Sequence, residues 1–249
     1  MLLEERQKQI IDFVNEKSSI SIHELISNLN VSESTIRRDL IELDNRGLLV
    51  KVFGGAVTSQ LNFAKKDESI AKRKTCNKDA KVKIGRYAAS LIEDGDFVYL
   101  DAGTTTECII PFVKASEVVF VTNSYRHARA LCERNFTVYI LGGEIKLPTE
   151  AIVGAKALEC LSQYHFSKGF FGTNAVSAEQ GLSTPDVNEA LVKKTAMEHT
   201  DVNYVLADST KFLLRSCVTF ANMNDAIIIS DVIDEQYKQF QNIVEAKDL

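Results

Sequence analysis

No apolar run in this chain approaches the roughly 20 residues that a membrane-crossing helix needs. The first residues, Met1-Leu2-Leu3-Glu4-Glu5-Arg6, are acidic where a secretory signal would be basic and then apolar. Both absences point to a cytoplasmic protein. Cysteine is sparse and scattered: Cys76, Cys108, Cys132, Cys160 and Cys217 form no Cys-x-x-Cys pair and have no His at ligand spacing. An odd, dispersed set reads as reduced thiols, neither a disulfide framework nor a zinc site, so no metal and no cofactor is expected. Cys108 and Cys160 lie on apolar stretches and are expected in the core. The four histidines (His23, His127, His165 and His199) are far apart and are expected as structural or surface residues. A basic excess is missing too. The formal net charge is −5 and the pI about 5.5, where nucleic-acid-binding domains are often basic.

What is present is enough apolar material for a small domain and a medium one: 249 residues, 45% hydrophobic. The most informative stretch is Val31-Ser32-Glu33-Ser34-Thr35-Ile36-Arg37-Arg38-Asp39-Leu40, ending at Gly47. Ile36, Leu40 and Leu43 recur at helical spacing, and Gly47 can close the helix in a left-handed conformation. Ser34, Thr35, Arg37 and Arg38 then fall on the polar side of its N-terminal half, the part a recognition helix inserts into the DNA major groove. Upstream, Ser21 and Glu24 have capping-box spacing, with Ile20 and Leu25 placed as a hydrophobic staple. Leu25, Ile26 and Leu29 supply the stripe of that helix, and Ser32 caps the next. Leu3, Ile10, Ile11, Phe13 and Val14 mark a still earlier helix. Leu48 to Phe53 is rich in strand formers and ends in the turn pair Gly54-Gly55. Three short helices and a terminal β-hairpin make a winged helix-turn-helix.

Residues from roughly Glu5 to Ala56 resemble the N-terminal domain of the DeoR family of bacterial sugar-metabolism repressors. The matching positions are Arg6, Ile10, Leu25, Val31, Ser32, Thr35, Ile36, Arg37, Arg38, Asp39, Leu40, Leu43, Gly47, Gly54, Gly55 and Ala56. The wing departs from the family's Arg-Val-His: here it reads Lys51-Val52-Phe53, keeping a basic group and losing the His. Ser32, Ser34, Thr35, Arg37, Arg38 and Lys51 are the expected DNA contacts. The first sixty residues carry seven basic side chains against nine acidic ones, so affinity per protomer is modest. A homodimer or homotetramer on a two-fold operator is the expected remedy.

Three segments follow from the pattern: 1–57 as the DNA-binding domain, 58–78 as a polar linker and 79–249 as an α/β domain. The linker holds Lys65-Lys66-Asp67-Glu68 and Lys72-Arg73-Lys74, with one short helix expected over Glu68 to Lys74 as a solvated connector. Beyond it, Lys83 to Ile92 reads as helix. Phe97–Leu100, Val118–Val121, Thr137–Leu141, Gly169–Phe171, Tyr204–Leu206 and Ala226–Ile229 read as buried strands of an open, mostly parallel α/β sheet.

Ligands of such sheets bind beyond the carboxyl ends of the strands. There the chain places Asp101-Ala102-Gly103-Thr104-Thr105-Thr106, Thr122-Asn123, Gly142-Gly143-Glu144, Gly172-Thr173-Asn174 and Asp208-Ser209-Thr210-Lys211. Gly103 would allow a tight turn, with Thr hydroxyls and helix-start amides facing an anion; the alternative is a plain Thr N-cap. No Gly-Lys-Ser/Thr follows, so this is not a Walker loop. Lys211 adds a cation suited to phosphate, and Asp101, Glu144, Asn174 and Asp208 offer acceptors to sugar hydroxyls. Gly181 to Asp186 reads as a loop before a helix carrying Glu189 on its first turn.

The resemblance to the DeoR family extends over this half as well, at Asp101 to Thr106, Thr122-Asn123, Gly142-Gly143-Glu144, Gly181 to Thr184, Glu189 and Asp208 to Phe212. It implies a sensor domain similar to ribose-phosphate isomerase and coenzyme A transferase folds. The implied effector is a phosphorylated sugar, with Asp101 to Thr106 on the phosphate side and Lys211 at the site. The competing reading is a sugar-phosphate isomerase with an accessory N-terminal domain. Those isomerases carry Asp-Gly-Ala-Asp-Glu after a central strand; here the place reads Gly172-Thr173-Asn174-Ala175-Val176-Ser177. Without a carboxylate base, binding is expected and turnover is not. The expected function is a repressor of a sugar uptake or catabolic operon, released from operator DNA by that effector.

Overall fold

The computed structural model describes residues 3–17, 19–52, 54–58, 63–64, 70–212, 214–233 and 235–247. Phe53 of the expected wing and the run Lys65-Lys66-Asp67-Glu68 fall outside them. The chain divides into two compact units, Met1–Phe63 and Ala64–Leu249.

The first unit runs α1 (Leu3–Lys17), β1 (Ser19–Ser21), α2 (Ile22–Leu29), α3 (Glu33–Asn45), β2 (Leu49–Val52) and β3 (Gly55–Thr58). Local chemistry sets each boundary. The Ser21 amide donates to Glu24 Oε2 at 3.0 Å and the Glu24 amide to Ser21 Oγ at 3.2 Å, closing the capping box. Helix α3 ends in a Schellman motif: Leu48 N–H reaches the Leu43 carbonyl at 3.0 Å, Gly47 N–H the Asp44 carbonyl at 2.9 Å, and Gly47 has φ +71°. Ile10, Val14, Leu25, Ile36, Leu40 and Leu43 are all fully buried. The wing is larger than the expected hairpin, because β1 adds an antiparallel third strand in the order β1-β3-β2. Its presence explains Gly55, where a Cβ would lie 2.2 Å from the Ile20 carbonyl oxygen. The Arg6 guanidinium grips buried Asp39 with Nε and Nη2, at 2.6 and 3.1 Å, and so locks α1 to α3.

The second unit begins with the two-residue strand β4 at its boundary (Phe63–Ala64), then α4 (Ile70–Thr75), α5 (Lys78–Ala89), β5 (Phe97–Leu100), α6 (Thr104–Glu107), β6 (Val119–Thr122), α7 (Tyr125–Cys132) and β7 (Thr137–Ile140). It continues with β8 (Glu144–Lys146), β9 (Ala151–Val153), α8 (Ala155–Leu161), β10 (Phe166–Gly172), β11 (Ala175–Ser177), β12 (Gly181–Thr184), α9 (Val187–Glu198) and β13 (Thr200–Leu206). Last come β14 (Arg215–Ser216), β15 (Val218–Ala221), β16 (Ile227–Ser230) and β17 (Ile243–Glu245). Seven strands form one parallel sheet in the order β17-β16-β13-β10-β5-β6-β7. Alternate side chains face opposite layers. Tyr99, Val121 and Phe171 pack on one side with α8 and α9, and Val98, Leu100 and Phe120 on the other with α5 and α7.

All six expected strands are found, but one is not buried. β7 is the sheet edge, and Tyr139 and Ile140 remain 49% and 45% exposed. β17 escaped notice because three residues give too short an apolar run. So did the antiparallel sheet β11-β12-β15: Gly181 to Thr184 was expected as loop, yet these small polar residues form a wholly buried strand. The helix expected at Lys83 to Ile92 starts five residues earlier and ends at Ala89.

Asp39→Ala is expected to destabilise the first unit by ~2–3 kcal/mol, because it leaves the partly buried Arg6 guanidinium without its acceptor. Hydrogen exchange resolved over residues 3–58 measures it; unaltered protection there refutes the role given to the pair.

Candidate nucleic-acid interface and effector site

Ser32 is the N-cap of α3. Its Oγ accepts from the Thr35 amide at 3.3 Å and lies 3.0 and 2.8 Å from the hydroxyls of Ser34 and Thr35. Ser32, Ser34, Arg37 and Arg38 are exposed and Thr35 is half-buried, so the expected contact set stands on one accessible helix start. Arg38 makes no ion pair with a described residue. Arg37 is held by Glu33 one turn back, its Nε 2.8 Å from Oε1, with both side chains about half exposed. Such a pair stabilises by only about 0.3–0.5 kcal/mol and yields readily to a phosphate. Lys51 stands exposed on the wing strand β2, its amide tied to Asp44 at 3.1 Å.

In the second unit the strand order reverses between β5 and β10. The chain leaves β5 for β6 and β7 on one side and returns to β10 on the other, opening a crevice above the carboxyl ends. Asp101 sits at this point. Its amide donates to the Phe170 carbonyl at 3.0 Å, and its Oδ2 accepts from the Gly172 amide at 3.0 Å and from the buried Lys193 ammonium. One oxygen of the expected sugar acceptor is therefore spent on structure.

The loop after Asp101 differs from expectation in two ways. Gly103 has φ 176°, an extended conformation open to any residue, and its constraint is crowding: a Cβ would meet Thr106 Oγ1 at 3.0 Å. Helix α6 is a single turn, so its dipole is a weak source of attraction for an anion. The charge comes from Lys81, which is buried and whose ammonium donates to Thr104 Oγ1 at 3.1 Å and to the Arg73 carbonyl. Burial pushes the Lys81 pKa down, Asp208 opposes that, and the positive charges of Lys211 and Arg73 add to it. Lys81 thus meets Thr104 and the Arg73 backbone directly, while Lys211 is tied to Asp208 by its amide, which donates to the Asp208 carbonyl at 2.9 Å. Asp208 Oδ1 accepts from Asn77 Nδ2 at 3.0 Å and the Thr210 amide at 3.2 Å, while its buried Oδ2 has no partner among the described residues.

Other expected residues are brought near but consumed by the scaffold. Thr106 Oγ1 donates to the Asp101 carbonyl at 2.7 Å. Thr122 Oγ1 donates to Leu100 O at 2.6 Å, and Asn123 Oδ1 accepts the Ala102 amide at 2.7 Å. Gly143 is needed because a Cβ there would lie 2.6 Å from Val153 O. Glu144 is exposed on β8 and no hydrogen bond joins it to the site among the described residues. Asn174 and Glu189 form a second cluster: Thr184 Oγ1 donates to Asn174 Oδ1 at 3.1 Å, and Glu189 Oε1 accepts from Lys146 at 3.3 Å and from Thr149. Thr149 also lines a small cavity with Arg73, Gly103, Thr104, Ser124, Arg126 and His127, so one residue of each cluster, Thr104 and Thr149, faces the same space. Thr105 is half-buried on α6.

Lys81, Lys193, Lys146 and His127 were missed. A signal existed for two of them. Lys81 is in phase with Ile84 and Ala88 on α5, and Lys193 with Ala190, Ala196 and Met197 on α9. A lysine on the apolar stripe of a helix is buried only when an acceptor waits for it.

An exposed basic helix start in one unit, and a buried lysine with half-buried cations near the strand ends of the other, fit a DNA-binding regulator with a separate sensor domain. Residues 6–60 match the DeoR-like helix-turn-helix domain, and residues 76–232 match the DeoR C terminal sensor domain. A protein named "Uncharacterized HTH-type transcriptional regulator FruR" from Bacillus subtilis is 44% identical, covering 94% of this chain and 93% of that one. The "Lactose phosphotransferase system repressor" of Staphylococcus aureus is 37% identical over 93% of each. Among solved structures, ribose 5-phosphate isomerase A of Methanocaldococcus jannaschii gives a partial likeness, with TM-score 0.42, 17% identity and 55% of each chain. The chain belongs to the DeoR family of bacterial sugar-metabolism repressors. It is a regulator and not an enzyme.

His127 is 2% exposed and burial lowers its pKa to about 4, so it is neutral, its Nε2 donating to the Gly103 carbonyl at 3.1 Å. Its folded pKa lies below the unfolded value, so the unfolded chain binds the extra proton first. Stability is full above about pH 6.5 and is lost as pH falls from there to about 4, by an amount on the order of 3 kcal/mol. Urea unfolding against pH measures this, and His127→Asn should flatten the curve across that window.

Proposed function

We propose that this chain is a cytoplasmic repressor of a sugar uptake or catabolic operon. It grips operator DNA as a homodimer or homotetramer and is released by a phosphorylated sugar bound in the second unit. Residues 1–57 bind DNA, 58–78 connect, and 79–249 sense. The carrying observation is the gathering of Lys81, Arg73 and Lys211 around Thr104 and Asp208 at the strand ends. Burial and like charge both disfavour the Lys81 ammonium, and a phosphate dianion beside it relieves both penalties. Asp101 and Gly103 hold the loop, and Thr105 extends it. The sugar hydroxyls then run along the cavity towards Asn174 and Glu189, with Gly143 and Glu144 on the adjoining hairpin. Thr106, Thr122 and Asn123 hold the walls. A relative named for a lactose phosphotransferase system supports the sugar class.

In the first unit Ser32, Ser34, Thr35, Arg37, Arg38 and Lys51 face DNA, the hydroxyls and Arg38 towards base edges and phosphates, Lys51 towards the backbone beside the wing. To act as inducer, the sugar phosphate binds the DNA-free arrangement more tightly than the DNA-bound one, since equal affinity shifts nothing.

Fluorescence anisotropy on duplex from the chain's own upstream region tests both halves. Arg37→Ala weakens operator binding and lowers its salt slope by about one, leaving sugar-phosphate affinity intact. Lys211→Ala retains operator affinity but is not released by sugar phosphates that release the wild type. Release of Lys211→Ala at the wild-type concentration would remove the cation cluster as the effector site, and equal affinity for random duplex would remove the repressor reading.

A further inference from the structure

Helix α4 is the first helix of the sensor unit, and it is fastened over the loop that follows Asp101. The Lys74 ammonium donates to Glu107 Oε1 at 2.8 Å, at the end of α6. The Arg73 carbonyl accepts from Lys81, the same ammonium that holds Thr104. Just beyond α4, Asn77 takes a left-handed conformation at φ +51° and donates to Asp208 at 3.0 Å. Ile70 and Arg73 therefore form one wall of the cavity above Gly103 and Thr104. With that wall in place the cavity is only about 10 Å³, far below the roughly 300–1,000 Å³ of ordinary small-ligand pockets.

We propose that α4 is a strap which the effector phosphate must displace, and that this displacement is the signal sent towards the DNA-binding unit. The inference rests on the reading of Lys81 and its neighbours as the phosphate site. A phosphate dianion outcompetes the neutral Arg73 carbonyl for Lys81, because charge-assisted hydrogen bonds are about twice as strong as neutral ones. Losing that bond removes one anchor of α4; the Lys74–Glu107 pair is another. The strap pivots at Asn77, whose conformation already departs from the helices on either side. Empty, the sensor holds α4 down; filled, it lets α4 go. The strap and the effector thus oppose each other in linked fashion, so weakening one favours the other by the same factor.

The test uses the full-length protein, calorimetry and hydrogen exchange, with fructose 1-phosphate, tagatose 6-phosphate, ribose 5-phosphate and inorganic phosphate as probes. Lys74→Ala removes an anchor without touching Lys81, Thr104 or Lys211, and Glu107→Gln removes the same anchor from the other side. Both variants should bind the preferred sugar phosphate about 3- to 10-fold more tightly and leave the operator at correspondingly lower concentration. In the wild type, amides of residues 70–76 should exchange faster at saturation while those of β5 and β10 do not. Wild-type protein that binds a sugar phosphate with α4 equally or better protected, or variants with unchanged affinity, would overturn the strap alone. Failure of the wild type to bind any of the four probes would overturn the phosphate site and the strap with it.

Discussion

A buried carboxylate at the reversal of a parallel sheet governs the geometry of the sensor. Two neighbouring strands whose onward chains diverge must leave a gap, and Asp101 spans it by accepting from Gly172 across the gap and from Lys193 below. Both members of that ion pair are almost wholly out of solvent, where an unpaired charge would be very costly. The carboxylate therefore cannot swing, and the turn that follows it inherits the constraint. Thr106 returns a hydrogen bond to the Asp101 carbonyl and Asn123 holds the Ala102 amide. The turn is thus fixed by its own hydrogen bonds, and a ligand bound there need not order it.

The two units solve opposite electrostatic problems with few charges. The chain is acidic overall, yet both candidate anion sites are locally basic. On α3 the cations are exposed, cheaply paired or unpaired, and free to exchange partners. In the sensor Lys81 and Lys193 are buried while Arg73 and Lys211 are half-buried, and burial, with its charged neighbours, displaces Lys81 below its ordinary pKa. The first arrangement suits a polymer met by diffusion; the second suits a small anion that is selected and then enclosed.

The sequence exposed most of the framework because framework residues obey local rules. Ser21 with Glu24, and Leu43 with Gly47, announce helix ends through hydrogen bonds a few residues long. Period-two and unbroken apolar runs announce strands, and the strand ends of an α/β sheet mark where ligands gather. Residues whose role depends on distant contacts were harder to read. Asp39 looked like one more polar residue of a helix until Arg6, far away in the chain, closed on it. Lys81, Lys193 and Lys146 each owe their function to an acceptor on another element. Thr106, Thr122 and Asn123 show the converse: residue types suited to a ligand, turned inward by the backbone groups they happen to face.

The Glu33–Arg37 pair on α3 carries a consequence for how such a protein scans a chromosome. Each recognition helix brings an internal competitor for the phosphates that its arginine seeks. On arbitrary duplex, where one backbone contact is all that is gained, the exchange is nearly neutral and residence is brief. At a site where neighbouring hydroxyls and Arg38 also engage, the carboxylate is left behind and the helix commits. If α3 meets DNA as proposed, a single glutamate one turn upstream lowers what Arg37 gains from any one phosphate.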